Sequence, residues 1–251
     1  MNLERASAIE LAESILRGVE AGAAGSTIAS RVDVAVFPPS VYLDAVGRVL
    51  GQRSVLLGAQ DCSAEDGGAF TGQVSANMLT DLGVQVVLVG HSERRHGLGE
   101  TDDLLARKAR IAIDYSLIVV FCVGETLSER QGGAFRAVLE RQLRNGLVDL
   151  ELDDLQQLVV AYEPVWAIGT GNTATPGDAQ EAHAFLRSVL ADRFGGEAAA
   201  RVRIIYGGSV NAANAAELFS RPDIDGGLVG GASLSAEDFL RICRAASPSS
   251  D

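Results

Sequence analysis

The chain has 251 residues, 47% of them hydrophobic, three cysteines and a formal net charge of −12 at pH 7. That acidity argues against nucleic acid or an anionic membrane as partner, and no apolar run approaches the ~20 residues of a membrane span. Cys62, Cys122 and Cys243 are far apart and odd in number; they give neither a disulfide framework nor a zinc-ligand spacing, and point to reduced thiols in the cytoplasm.

Leu3–Gly18 carries apolar residues at mostly three- and four-residue steps, so the chain opens on a helix, with no secretory signal and no strand ahead of it. Val32–Phe37 reads as a strand stopped by Pro38-Pro39, Val41–Leu50 as a helix and Val55–Ala59 as a strand. The polar, glycine-rich loop Gln60–Gly72 is long for a plain connection. Then follow helix Gln73–Leu82, strand Val86–Gly90, helix Thr101–Tyr115 and strand Leu117–Val123. Leu127–Leu147 is a helix with a glycine break at its start, and Leu158–Glu163 a strand. Helix Pro176–Phe194 has proline in its first turn. Strand Arg203–Tyr206, helix Asn211–Phe219, strand Gly226–Val229 and helix Ala236–Ala245 complete the chain.

The strands are short, β-branched and apolar on both faces, as in a buried parallel sheet. Strict alternation of strand and helix gives an α/β fold with right-handed crossovers, in a single domain over residues 1–251. Seven strands and eight helix-bearing connections predict a (β/α)₈ barrel whose first strand is missing from the front. The gap would leave two exposed sheet edges.

Parallel barrels carry their active sites at the C-terminal strand ends. Those ends read Gln60-Asp61, Gly90-His91-Ser92-Glu93, Gly124-Glu125, Glu163, Gly207-Gly208-Ser209 and Gly230-Gly231. A helical turn starting at Ser92 would aim N–H groups at the His91 ring, favouring the neutral imidazole and lowering its pKa; the alternative is a merely hydrogen-bonded histidine. Glu163 precedes a proline and a short segment ending in Gly169-Thr170-Gly171, a base under a lid rather than a loop acid. The glycine pairs after the last two strands suit a phosphate, which backbone N–H groups can hold without a cation, although such pairs often only make turns. His96 and His183 are expected to have no catalytic role. Together these groups suit proton abstraction next to a carbonyl in a small phosphorylated sugar.

The motifs FPPSVYL at 37–43, GAQD at 58–61, GAFTGQVSANML at 68–79, VGHSERR at 89–95 and CVGET at 122–126 occur in this order. AYEPVWAIGTG at 161–171, YGGSV at 206–210 and LVGGASL at 228–234 follow. The chain thereby resembles the triosephosphate isomerase family over nearly its whole length. The resemblance implies a TIM barrel that interconverts dihydroxyacetone phosphate and glyceraldehyde 3-phosphate in glycolysis and gluconeogenesis, with no cofactor or metal. It implies Glu163 as base and His91 as neutral electrophile, with Ser92 and Glu93 supporting. Gly169, Ser209, Gly230 and Gly231 match the phosphate-binding positions. It also implies a homodimer, in which loop 64–72 reaches into the partner with Thr71 near its active site.

Two departures stand out. The second lid hinge reads Asn172-Thr173-Ala174 where bacterial relatives often have Lys-Thr-Ala. The family also opens on a strand ending Gly-Asn-Trp-Lys-Met-Asn, of which Met1-Asn2 matches the last two residues. The active-site asparagine and lysine are thus not in these 251 residues, and the expectation is a reading frame that extends upstream of Met1. Lys108, the only lysine, lies mid-helix and cannot stand in, and Glu93 loses the lysine as its neighbour. The chain as written is expected to have impaired activity. The alternatives are a non-catalytic phosphosugar-binding or interaction protein, or another aldose–ketose isomerase.

Overall fold

The computed structural model describes residues 1–23, 25–51, 53–167 and 174–247. Six strands carry the architecture: β1 (Val34–Val36), β2 (Val55–Ala59), β3 (Val86–Val89), β4 (Ile118–Val123), β5 (Leu158–Tyr162) and β6 (Arg203–Tyr206). They form one all-parallel sheet in chain order. The helices are α1 (Arg5–Glu20), α2 (Leu43–Leu50), α3 (Ala76–Asp81), α4 (Ser92–Gly97), α5 (Asp102–Asp114) and α6 (Leu127–Gln131), then α7 (Phe135–Gly146), α8 (Pro176–Phe194), α9 (Gly196–Arg201), α10 (Ala215–Phe219) and α11 (Ala236–Ala245).

Side chains alternate across a strand, and here both alternating sets are apolar. Val86 and Leu88 of β3, Val120 and Cys122 of β4 and Ala161 of β5 form one cluster with Phe37, Leu56, Ile205 and Leu228. Their neighbours Val87, Val89, Val119, Phe121, Val160 and Tyr162 face the other way, packing with Leu105, Leu139, Leu143 and Leu186 of the helices. Each such fully buried side chain contributes roughly 1.5–3 kcal/mol. The sheet curls: Arg203, at the start of β6, donates to Asp33, just ahead of β1, at 2.6 Å.

Local sequence sets the helix starts. The Thr101 hydroxyl accepts from the Leu104 N–H at the head of α5. Capping boxes Thr126/Glu129 and Thr175/Asp178 open α6 and α8, the latter with Pro176 in its first turn. Such caps satisfy N–H groups that the helix cannot.

The expected seventh strand, Gly226–Val229, is reduced to an isolated bridge between Tyr206 and Gly227. The Leu228 N–H donates to the Tyr206 carbonyl and the Tyr206 N–H to the Gly226 carbonyl, so pairing exists on one flank. Two glycines, and no second partner among the described residues, leave too little to hold a ladder. Among the described residues no strand pairs with β1 on the side away from β2. The expected helix 127–147 divides into α6 and α7 at Gly132-Gly133, where Gly133 takes a positive φ of 74°. The helix expected from Asn211 begins only at Ala215. No helix among the described residues is long and apolar enough to cross a membrane.

Candidate active site

Glu163 follows the last residue of β5 and is 1% exposed. Its N–H donates to the Val123 carbonyl at 2.8 Å, so the parallel ladder continues up to it. Glycine backbone walls it on two sides. A Cβ on Gly124 would lie 1.8 Å from the Glu163 carbonyl oxygen, and one on Gly207 would lie 2.8 Å from its Cγ. The carboxylate is thereby set against main chain with no side chain crowding it from either residue.

His91 sits at the mouth of β3, where it caps α4. Its Nδ1 accepts from the Glu93 N–H at 3.3 Å. The Nδ1 atom is therefore unprotonated in the neutral ring, and Nε2 carries the hydrogen. That Nε2 lies 3.0 Å from Glu163 Oε1, while Glu163 Oε2 accepts from the Ser92 N–H at 2.8 Å. The structure thus joins His91, Ser92 and Glu163, three of the predicted site residues, through one carboxylate.

The direction of the His91 pKa corrects the sequence expectation. Burial, the largest single influence, lowers it, but the hydrogen bond and charge of Glu163, with the charge of Glu93, outweigh burial and leave it raised. The helix-start N–H is present as foreseen. What the sequence did not reveal is that the carboxylate reaches the ring directly. The Glu93 side chain points outward, 85% exposed, with one oxygen 4.0 Å from His91 Nδ1.

Ser209, Gly230 and Gly231 lie on the exposed rim. Among the described residues their N–H groups have no hydrogen-bond partner, and an added Cβ on Gly230 or Gly231 would meet nothing within 4 Å. The two loops that carry them therefore offer donors and space. Gly169, Asn172 and Thr173 lie outside the described residues. The first part of the expected lid is a 3₁₀ turn, Val165–Ala167, with Ala167 buried; Ala174 on its far side is buried too. Thr71 is exposed in the loop before α3, next to Phe70, which is 42% exposed.

Several groups in and around the site went unassigned in the sequence. Glu125 is fully buried, and its Oε1 accepts from Tyr162 Oη at 3.0 Å, Trp166 Nε1 at 2.9 Å and Arg130 Nη1 at 3.2 Å. It ties the start of the expected lid segment to the end of β4. Its signal was an acid just past a strand end, the same as that of Glu163. Arg95 donates to the Gly90 carbonyl at 2.9 Å, to the Cys122 carbonyl and to Asp102, bracing the turn that presents His91. Asp61, although at a strand end, is drawn into an ion cluster. Lys108 Nζ is 2.7 Å from both Asp61 and Glu100, and Arg94 is 2.7 Å from both as well. Lys108 is buried there, away from His91 and Glu163, as its mid-helix place predicts. His183 is buried with Tyr162 and Tyr206, outside the His91–Glu163 pair. Burial pushes the Cys62 thiol up to about 12 and raises that of Cys122, so neither is a ready nucleophile.

A family model described as triosephosphate isomerase matches residues 1–246. The triosephosphate isomerase of Chloroherpeton thalassium is 48% identical over 248 residues, 98% of this chain and 95% of that protein. That of Paracidovorax citrulli is 52% identical over 236 residues, 94% of this chain and 91% of its own length, and that of Chlorobium phaeobacteroides is 50% identical over 234 residues, 93% of each. With a full-length model match and relatives at about half identity, the chain belongs to the triosephosphate isomerase family.

Proposed function

We propose that the site interconverts dihydroxyacetone phosphate and D-glyceraldehyde 3-phosphate through an enediolate, without metal or cofactor. The observation that carries this is the pairing of His91 Nε2 with Glu163 Oε1 at 3.0 Å, just past the C-terminal ends of β3 and β5, which flank β4 in one sheet. The Glu163 carboxylate takes the proton from the carbon beside the carbonyl. The His91 Nε2–H donates to the carbonyl oxygen as negative charge gathers there. Glu163 then returns the proton to the former carbonyl carbon, while His91 Nε2 gives its proton to the former carbonyl oxygen and takes the hydroxyl proton from the neighbouring oxygen, so that the second carbonyl forms and the ring is neutral again. Substrate binding has to exchange the His91–Glu163 bond for a bond from His91 to the substrate oxygen. The N–H groups of Ser209, Gly230 and Gly231, with Gly169, would hold the phosphate.

The fold we propose is a single (β/α)₈ domain over residues 1–251 that lacks one strand beside the free edge of β1, and its turnover is impaired. The basic side chains near the strand ends are already committed: Arg94 and Lys108 to Asp61 and Glu100, Arg95 to Asp102, and Arg130 to Glu125 and Asp178. Among the described residues no lysine or arginine pairs with Glu163, whose one ionic partner is His91. A dianionic substrate without a facing cation forfeits a factor of roughly 10²–10³ in rate, by analogy with lost electrostatic donors. We further propose a cytoplasmic homodimer joined through loop 64–72, with Thr71 at the partner's site.

A coupled assay of the 251-residue chain against a version extended by a strand ending Gly-Asn-Trp-Lys ahead of Met1 tests the reading. The extended protein should turn over at least a hundredfold faster. Equal rates would refute the role given to the cation. Tight binding of 2-phosphoglycolate with no turnover in either version would make this a phosphosugar-binding protein instead. Sedimentation at several concentrations checks the dimer.

A further inference from the structure

We infer that Gln142, on α7, is a positioning residue for Glu163, acting through the Gly124 backbone; the inference rests on the isomerase reading of this site. The ladder between β4 and β5 runs past both strands. Val123 accepts from the Glu163 N–H at 2.8 Å, and Glu125 accepts from the Val165 N–H at 3.1 Å. Gly124 lies between those two acceptors, directly against Glu163, so its own N–H and carbonyl face the opposite flank. Further back, that flank belongs to β3, whose Val89 pairs with Phe121. Here β3 has already ended, and the chain turns away at Gly90 to present His91.

Gln142 fills the vacated place. Its Oε1 accepts from the Gly124 N–H at 2.8 Å and its Nε2 donates to the Gly124 carbonyl at 3.1 Å. One side chain, 4% exposed, thus supplies both bonds that a neighbouring strand residue would have made. Gly124 has no slack on its other side, because even a Cβ there would stand 1.8 Å from the Glu163 carbonyl oxygen. A peptide held by two hydrogen bonds on one flank and in contact with the base on the other sets the base's position. Turning β3 aside for His91 and holding Glu163 in place are therefore linked, with Gln142 making the two compatible. A displacement of order 1 Å at a reacting group costs on the order of 10²-fold in rate.

The test compares Gln142→Leu and the more forgiving Gln142→Met with Leu143→Ala, a buried substitution on the same helix that leaves Gly124 untouched. Both Gln142 variants should lower kcat at least tenfold with KM within twofold, and should move the His91 ring titration, followed by NMR, to lower pH as Glu163 draws away. Leu143→Ala should lower Tm while leaving kcat, KM and that titration as in the wild type. The inference is overturned if the Gln142 variants keep kcat within twofold, or if Leu143→Ala reproduces their losses. Absence of turnover both in this chain and in the version extended ahead of Met1 would defeat the isomerase reading. The His91 titration needs no turnover, and would then decide the positioning role by whether the Gln142 variants move it.

Discussion

His183 makes the stability of this protein depend on pH in a window of its own. The ring is fully buried between α8 and the sheet, with Nδ1 donating to the Asp223 carbonyl at 3.1 Å and Tyr162 and Tyr206 packed around it. Burial, the dominant influence, pushes its pKa down from 6.5 to about 4, against the hydrogen bond to Asp223. The unfolded chain therefore binds a proton near pH 6.5 that the folded chain refuses until near pH 4. Stability from this group is fully present above 6.5 and is lost as pH falls from 6.5 towards 4. A drop of about 2.5 pH units, at 1.36 kcal/mol each, amounts to about 3 kcal/mol. His91 works in the opposite sense. Its raised pKa adds stability below the folded value and withdraws it as pH rises through that value. The raw profile therefore mixes the two, and the His183 contribution is isolated by a difference. Urea unfolding of wild type and His183→Gln, at fixed protein concentration between pH 8 and 4.5, provides it. The advantage of the wild type should shrink by at least 2 kcal/mol over that range, most of the ~3 kcal/mol expected in full. A difference that stays flat would refute the burial argument.

Glu163→Gln should cut kcat by roughly 10²–10⁴. It should also lower the pH at which His91 titrates, because the carboxylate that raises it is gone; steady-state kinetics and NMR check the pair. Lys108→Met removes one of the two cations that hold Asp61 and Glu100 and leaves Arg94 as the other. A loss of up to about 3 kcal/mol, the low end for a broken buried pair, is expected in denaturant unfolding, with kcat per folded molecule unchanged because Lys108 stands outside the site. Thr175→Ala removes the hydroxyl that accepts from the Asp178 N–H at the head of α8. It should cost about 1 kcal/mol in thermal unfolding.

Much of the fold could be read from short-range pattern. The short strands at 55–59 and 203–206 and the proline-led helix 176–194 match the observed bounds, because their signals are local: side-chain type, caps and turn glycines. Gly226–Val229 failed as a strand because a strand is completed by neighbours, and among the described residues only Tyr206 offers it a bridge. The candidate site divides in the same way. Glu163, His91 and the glycine loops were legible because strand ends in a parallel sheet face one region.

What the order of residues determined by itself is therefore the alternation of elements, the family motifs and the chemical types at each strand end. Tertiary structure alone decided how those types are used. It committed Asp61 to Lys108 and Arg94, and brought Glu163 within 3.0 Å of His91 so that the ring's pKa rises instead of falling. It also placed Gln142, eighteen residues on, against the Gly124 peptide. The physical reason is that charge pairing, desolvation and the closure of a hydrogen-bond ladder act through distance in space, which spacing along the chain does not encode.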